Sequence, residues 1–136
     1  MLSLMPWLER LNALGGPVVQ LAADVDAAQN TKEWPSRMLV LGRDTVEHHD
    51  MSDGVDHLVK PEVLLVTGIQ RINLPLGNTD DELTTLRRPM INSLINWMPD
   101  DCDNPIIWKR GQILTLKNHA LFWVDVFTTE YWWKEN

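Results

Sequence analysis

The sequence predicts a single α+β domain that spans residues 1–136. We expect a mainly antiparallel β-sheet of about 4–5 strands, packed against about 2–3 helices and ending in a C-terminal β-hairpin. The length of 136 residues is that of one ordinary domain, and 44% hydrophobic with 23% charged residues is a normal composition for a globular protein with one core. One long amphipathic helical pattern lies between two groups of strand-like apolar runs, which combines helices and sheet in one unit.

The N-terminal region predicts a short helix, a short strand and a second short helix. Over residues 2–14, Trp7 and several leucines recur at helical spacing on one face, with Ser3 as a candidate cap. A Gly-Gly-Pro sequence ends this helix. The apolar residues 18–21 indicate a brief strand, and the alanine-rich residues 22–29 favour a helix.

Two strand-like runs flank a polar stretch. Residues 37–41 are nearly all apolar, which suits a strand covered on both faces. Residues 57–72 predict a longer strand, in which Pro61 belongs at an edge or a bulge because it has no N–H to donate. The intervening polar stretch, at about 43–57, predicts a loop or an open β-arm.

The polar stretch also holds the group of residues in this sequence that most resembles a metal site. Its candidate nitrogen and oxygen ligands are His48, His49, Asp50, Asp53 and His57. Adjacent histidines on an extended chain point to opposite sides, so His48 and His49 cannot easily bind one ion. HExxH and EF-hand spacings are absent. We therefore expect a solvated stretch with no metal and no other cofactor.

The longest helix is predicted to begin at Thr79 and to end at Pro99. Thr79 and Glu82 have the spacing of a capping box, and apolar residues then recur every three or four positions. Pro89 should kink the helix, because it removes one helical hydrogen bond. Arg87 projects within the apolar face; its head either reaches solvent or pairs with a carboxylate at a subunit contact.

The C-terminal region predicts three strands. Residues 106–108 and 113–116 indicate two strands joined by a turn at residues 109–111, and the last strand, residues 121–133, follows a turn at residues 117–119. Aromatic residues alternate onto both faces of this last strand, so both faces must be partly covered. Since aromatic residues enrich cores and interfaces alike, the strand either completes the core or forms an edge for a partner.

Several function classes are disfavoured by composition and motifs. The net charge of −7 argues against nucleic-acid binding, which needs a basic face. The single cysteine, Cys102, excludes an internal disulfide, and reduced cytoplasmic folding is the default. We expect neither a signal peptide nor a membrane span. GxGxxG, P-loop and GxSxG motifs are absent, so we expect no enzyme.

Two segments carry a family resemblance. They are DELTTLRRPMINSLINWMPD and PIIWKRGQILTLKNHALFWVDVFTTEYWW. The first ends in a Leu-x-x-Trp-x-Pro step formed by Leu94, Trp97 and Pro99. The second ends in an aromatic run formed by Phe122, Trp123, Asp125, Phe127, Thr128 and Tyr131. Together they resemble the tail terminator proteins of long-tailed bacteriophages, in particular those of Mu-like phages and related siphophages.

The resemblance implies a structural virion protein. Such proteins form a hexameric ring that caps the tail tube, ends tube polymerisation and presents a surface to the head-side connector. The implied partners are further copies of the chain as a homohexamer, the tail tube protein and the head–tail connector or stopper protein, while genomic DNA passes through without specific binding. The implied place is the head-proximal end of the tail, assembled in the host cytoplasm. Our candidate contact residues are His48, His49, Arg87, Phe127, Tyr131, Trp132 and Trp133.

Three other functions stay open on the sequence. The chain could be another head–tail joining or adaptor protein of the virion. It could be a metal-dependent enzyme that uses His48, His49 and His57. It could also be a small ligand-binding domain with the aromatic strand as its pocket.

Overall fold

The computed structural model describes residues 1–70, 76–117 and 119–134, without the side chains of residues 76–80 and 117. The first three elements are α1 (Met5–Asn12), β1 (Val19–Leu21) and α2 (Val25–Ala28). A long β-hairpin, β2 (Ser36–Met51) and β3 (Gly54–Gln70), then leads into α3 (Leu76–Leu94). The strands β4 (Asn104–Lys117) and β5 (Ala120–Trp132) complete the described chain.

The strands form one five-stranded sheet in the order β1-β2-β3-β5-β4. The pairing of β1 with β2 is parallel, and the other pairings are antiparallel. The predicted α+β architecture, with a mainly antiparallel sheet and a C-terminal hairpin, is confirmed. No helix among the described residues is long and apolar enough to cross a lipid bilayer.

Hydrophobic residues pack on both faces of the sheet. On one face, Trp7 of α1 and Leu94 of α3 pack with Leu65 and Phe127 in a buried cluster. On the other face, Phe122 and neighbouring valines pack with Ala28 of α2 and the half-buried Trp34. Because β5 contributes to both clusters, the expectation that both of its faces are covered is confirmed.

The position of β5 corrects one alternative. It lies between β3 and β4, so it cannot serve as a sheet edge for a partner. The strands at the two ends of the sheet order are β1, which is three residues long, and β4, which is 14 residues long. Sequence order suggested an edge for the last strand, but pairing order places it in the interior.

The predicted turn at residues 109–111 is also wrong. β4 runs through these residues as one strand, with a register shift between Trp108 and Arg110. A Cβ atom on Gly111 would lie 2.5 Å from Asp125 Oδ1, so glycine is needed here for a close approach rather than for a turn. The predicted turn at residues 117–119 includes residue 118, which lies outside the described part of the chain; β4 ends at Lys117, β5 begins at Ala120, and His119 has a positive φ of 62°.

The polar stretch at 43–57 is a β-arm. The β2–β3 ladder continues to the pair Met51–Gly54 at its tip. A register shift between Leu41 and Asp44 lies opposite Pro61, so the predicted bulge at this proline is observed. Residues 71 and 72 of the predicted strand lie outside the described part of the chain.

The helix boundaries differ from the predicted ones at their caps. α3 begins at Leu76, ahead of Thr79, whose side chain is not described. It ends at Leu94 rather than Pro99, because Asn96 adopts a left-handed φ of 65° and its N–H turns to the carbonyl of Ile106. Leu4, not Ser3, occupies the N-cap of α1.

Candidate assembly surface

The strand β4 exposes apolar side chains along its length. Ile107, Ile113 and Leu116 are 61%, 58% and 57% exposed, and Trp108 is also exposed. Their strand pairs with β5 on one side and ends the sheet on the other. We call this outward side of β4, from Ile107 to Leu116, the β4 edge. An exposed apolar edge strand has both the backbone groups and the surface to bind another strand.

Arg87 fixes α3 against the sheet beside the β4 edge. Its guanidinium donates to both carboxylate oxygens of the fully buried Asp125, at 2.8 Å each. It also lies over the ring of Trp123, 4.4 Å from the centroid, and 6.0 Å from the centroid of Trp108. The interpretation of a solvated head is wrong, because the Arg87 side chain is only 15% exposed and its carboxylate partner lies within the same chain. A contact of Arg87 with another subunit stays a prediction.

Basic side chains meet at the bulge of β4. Arg43, Lys109 and Arg110 lie 3.5, 3.7 and 3.8 Å from the carboxylate of Glu62. That carboxylate is largely buried, whereas all three cationic side chains are at least 48% exposed. One carboxylate against three cations leaves a surplus of positive charge at the surface, in a chain of net charge −7.

The histidines of the arm separate onto its two faces. His48 pairs directly with His57 across the hairpin, with ring centroids 4.8 Å apart. His49 points the other way and contacts Trp132 at 5.2 Å. The expectation that adjacent histidines diverge is therefore confirmed. Among the described residues, no three His, Cys, Asp or Glu side chains are grouped so that they could hold a metal ion.

An ion pair ties the arm to the rest of the sheet. Lys60 donates to Glu47 at 2.7 Å, and Glu130 of β5 lies 3.7 Å from the same ammonium group. The hydrogen bond lowers the pKa of Glu47 and raises the pKa of Lys60. The Lys60 ammonium group thus lies between a carboxylate of β2 and a carboxylate of β5.

A profile of the family described as "Phage tail terminator protein" matches residues 2–135. The chain belongs to the phage tail terminator family. It is also similar in fold to a chain of the solved "Virion of native gene transfer agent (GTA) particle", at 12% identity and a TM-score of 0.51, covering 88% of this chain and 82% of that one. No curated protein matches.

As a phage tail terminator family member, the chain is a structural component of a virion, and the resemblance seen in the sequence is confirmed. The match covers nearly the whole chain, including the N-terminal helices, which lie outside the two segments that carried the resemblance.

The candidate contact residues of this chain fall into different environments. Trp133 is 53% exposed, Tyr131 and Trp132 are half-buried, and His48 and His49 lie on the arm. Phe127 is fully buried in the core, so it has no surface to offer a partner. We remove Phe127 from the contact set and assign it to the core.

Sequence reasoning missed the residues that shape the β4 edge. Asp125 belongs to the aromatic run that carried the family resemblance, and a carboxylate among aromatic residues signals a buried partner. Nothing in the spacing identified Arg87 as the partner of Asp125, because the two residues are 38 positions apart. Glu62 gave a similar signal, as a lone acid between Pro61 and a run of apolar residues.

Proposed function

We propose that six copies of this chain form a ring on the last ring of the tail tube, end tube polymerisation and present a surface to the head-side connector or stopper protein. Membership of the phage tail terminator family is the observation that carries this proposal. The chain then works by shape and contact rather than by catalysis, at the head-proximal end of the tail.

Two unlike surfaces of the chain support a ring. The β4 edge and the β-arm lie on different strands, and a closed ring is built from such unlike surfaces in head-to-tail contact. The net charge of −7 suits a channel through which DNA slides, because negative walls repel phosphate.

The test deletes the gene that encodes this chain and measures tail length by electron microscopy. We expect tails without a uniform end, whose tubes grow past the normal length, and we expect a plasmid copy of the gene to restore uniform tails. Gold-labelled protein should then mark one end of each tail. Tails of normal length and normal head attachment in the deletion strain overturn the proposal.

The same experiment separates the terminator from a head–tail adaptor. An adaptor acts on the head side, so its loss leaves tails of normal length that fail to join heads, and its gold label marks heads. Native mass spectrometry of the labelled ends gives the number of copies, for which the proposal requires six.

A further inference from the structure

The β-arm offers a strand edge of its own. β1 covers β2 only from Arg37 to Leu39, and β5 reaches along β3 only as far as Leu58. Residues 44–51 therefore have no pairing strand on the side away from β3 among the described residues. Backbone N–H and C=O groups on such an edge are available to a further strand.

The arm and the β4 edge carry opposite charges. Residues 44–57 contain five acidic residues and neither Lys nor Arg. These acidic residues are Asp44, Glu47, Asp50, Asp53 and Asp56. By contrast, β4 contains Lys109, Arg110 and Lys117 and no acidic residue. Opposite charges on two strand edges favour their pairing, and like charges disfavour pairing of two arms or of two β4 edges.

Both surfaces also expose apolar side chains that a strand pairing would cover. On the arm, Val46, Met51 and Val55 are 47%, 48% and 49% exposed. On the β4 edge, Ile107, Ile113 and Leu116 are more exposed still. A pairing would thus remove apolar area from water on both partners, in addition to adding backbone hydrogen bonds.

We propose that the arm of one copy adds as an extra strand to the β4 edge of a second copy, with its acidic side chains against Lys109 and Arg110. This contact is head-to-tail, because the two surfaces differ, and repetition of it around an axis closes a ring. The inference rests on the proposed ring function and names the surfaces that build the ring.

Charge reversal on the full-length chain tests the pairing. The arm variant is Asp50→Lys with Asp53→Lys, and the edge variant is Lys109→Glu with Arg110→Glu. Sedimentation velocity up to about 1 mM protein measures self-association. It is done at low salt, because charged contacts are least screened there. We expect the wild type to assemble and each variant to associate at least tenfold more weakly.

Mixing the two variants gives the decisive result. The two new lysines of the arm variant fit the two new glutamates of the edge variant, and the unchanged acidic arm of the edge variant fits the unchanged basic edge of the arm variant. An equimolar mixture should therefore assemble in alternation, although neither variant assembles alone. Glu9→Lys with Glu33→Lys is the matched control, since it makes the same charge change as the arm variant at exposed sites on other surfaces.

The edge variant places new acids near the buried Glu62, so its fold is checked by circular dichroism. If it does not fold, Ile113→Glu with Leu116→Glu replaces it, because both side chains are exposed and lie beyond the Glu62 cluster. Three outcomes overturn the pairing. The first is wild-type association in both reversed variants, and the second is a mixture of folded variants that stays monomeric. The third is a wild type that stays monomeric to about 1 mM.

These outcomes are distinct from failure of the proposed function. If six-copy rings and normal tails persist in the arm variant, the ring function stands and the arm-to-edge pairing is wrong. If arm-to-edge pairing occurs but deletion of the gene leaves tail length and head attachment normal, the pairing stands and the capping function is wrong.

Discussion

Arg87 of α3 and Asp125 of β5 are joined by two parallel hydrogen bonds of 2.8 Å each. Asp125 is fully buried, and Trp123 both stacks on the guanidinium and donates from its indole nitrogen to the same carboxylate at 3.2 Å. The pair fixes the helix to an interior strand of the sheet at a point next to the β4 edge. Removal of either partner alone leaves a charge without compensation in a largely buried place.

We expect Asp125→Asn to lower the free energy of unfolding by about 3 kcal/mol, because the Arg87 guanidinium loses its counter-charge while the side chain keeps its shape. Urea denaturation followed by tryptophan fluorescence measures the change. Arg88→Ala, on the exposed side of the same helix, is the control and should change stability by less than about 0.5 kcal/mol. A loss below about 1 kcal/mol for Asp125→Asn would show that the pair adds little to stability.

Gly111→Ala tests the close approach of β4 to this ion pair. The new Cβ would meet Asp125 Oδ1 at 2.5 Å and Trp123 Nε1 at 3.0 Å, so the carboxylate must move away from Arg87. We expect a loss of about 1–3 kcal/mol in urea denaturation. Gln112→Ala, at the exposed neighbouring position, should be close to neutral. Equal stability of both variants would contradict the packing described for Gly111.

Leu94→Ala tests the core contact of α3. Leu94 is fully buried with Trp7 and Phe127, so truncation removes its transfer free energy and leaves a cavity. We expect a loss of about 3 kcal/mol in the free energy of unfolding. Met98→Ala serves as the comparison: Met98 is 51% exposed, so this variant should lose little stability. A loss below about 1 kcal/mol for Leu94→Ala would mean that this face of α3 is not part of the core.

The buried thiol of Cys102 predicts a pH effect at the alkaline end. Burial raises the pKa of Cys102 from its ordinary value of 9.0 to about 11. Above pH 9 the unfolded chain releases this proton while the folded chain keeps it, so stability falls as pH rises from 9 towards 11. Denaturation series across this range should show the decline in the wild type and a weaker one in Cys102→Ser. At neutral pH a thiol reagent should label Cys102 only after unfolding, and rapid labelling of the folded chain would refute its burial.

Local patterns in the sequence predicted most elements of this fold. Apolar periodicity located the helices and the strands, and the divergent directions of His48 and His49 followed from strand geometry alone. Lys109-Arg110-Gly111 was misread because charged residues before a glycine fit a turn and a bulged strand equally well. Local patterns also could not predict the order of the strands in the sheet. The interior position of β5 depends on its pairing with β3, and the paired residues of the two strands are 50 or more positions apart in the sequence.

The candidate site shows the same division. The polarity of residues 43–57 predicted a loop or a β-arm, and the aromatic motif predicted the family of the chain. The β4 edge was not predicted, because exposure of Ile113 and Leu116 depends on which strand ends the sheet. The partner of Arg87 could not be read either, since many carboxylates are available in a chain with 19 acidic residues and only the fold selects Asp125.

Because β5 lies in the interior of the sheet, the order in which the strands are synthesised differs from their order in the sheet. Residues 120–132 leave the ribosome after the other strands of the sheet, yet they lie between β3 and β4. Until they arrive, β4 has no neighbour to pair with, and the clusters on both faces lack the phenylalanines that complete them. A nascent chain therefore cannot present its β4 edge in the folded arrangement, and the ring that we propose on that edge would recruit only chains whose translation has passed β5. Translation itself thus delays recruitment.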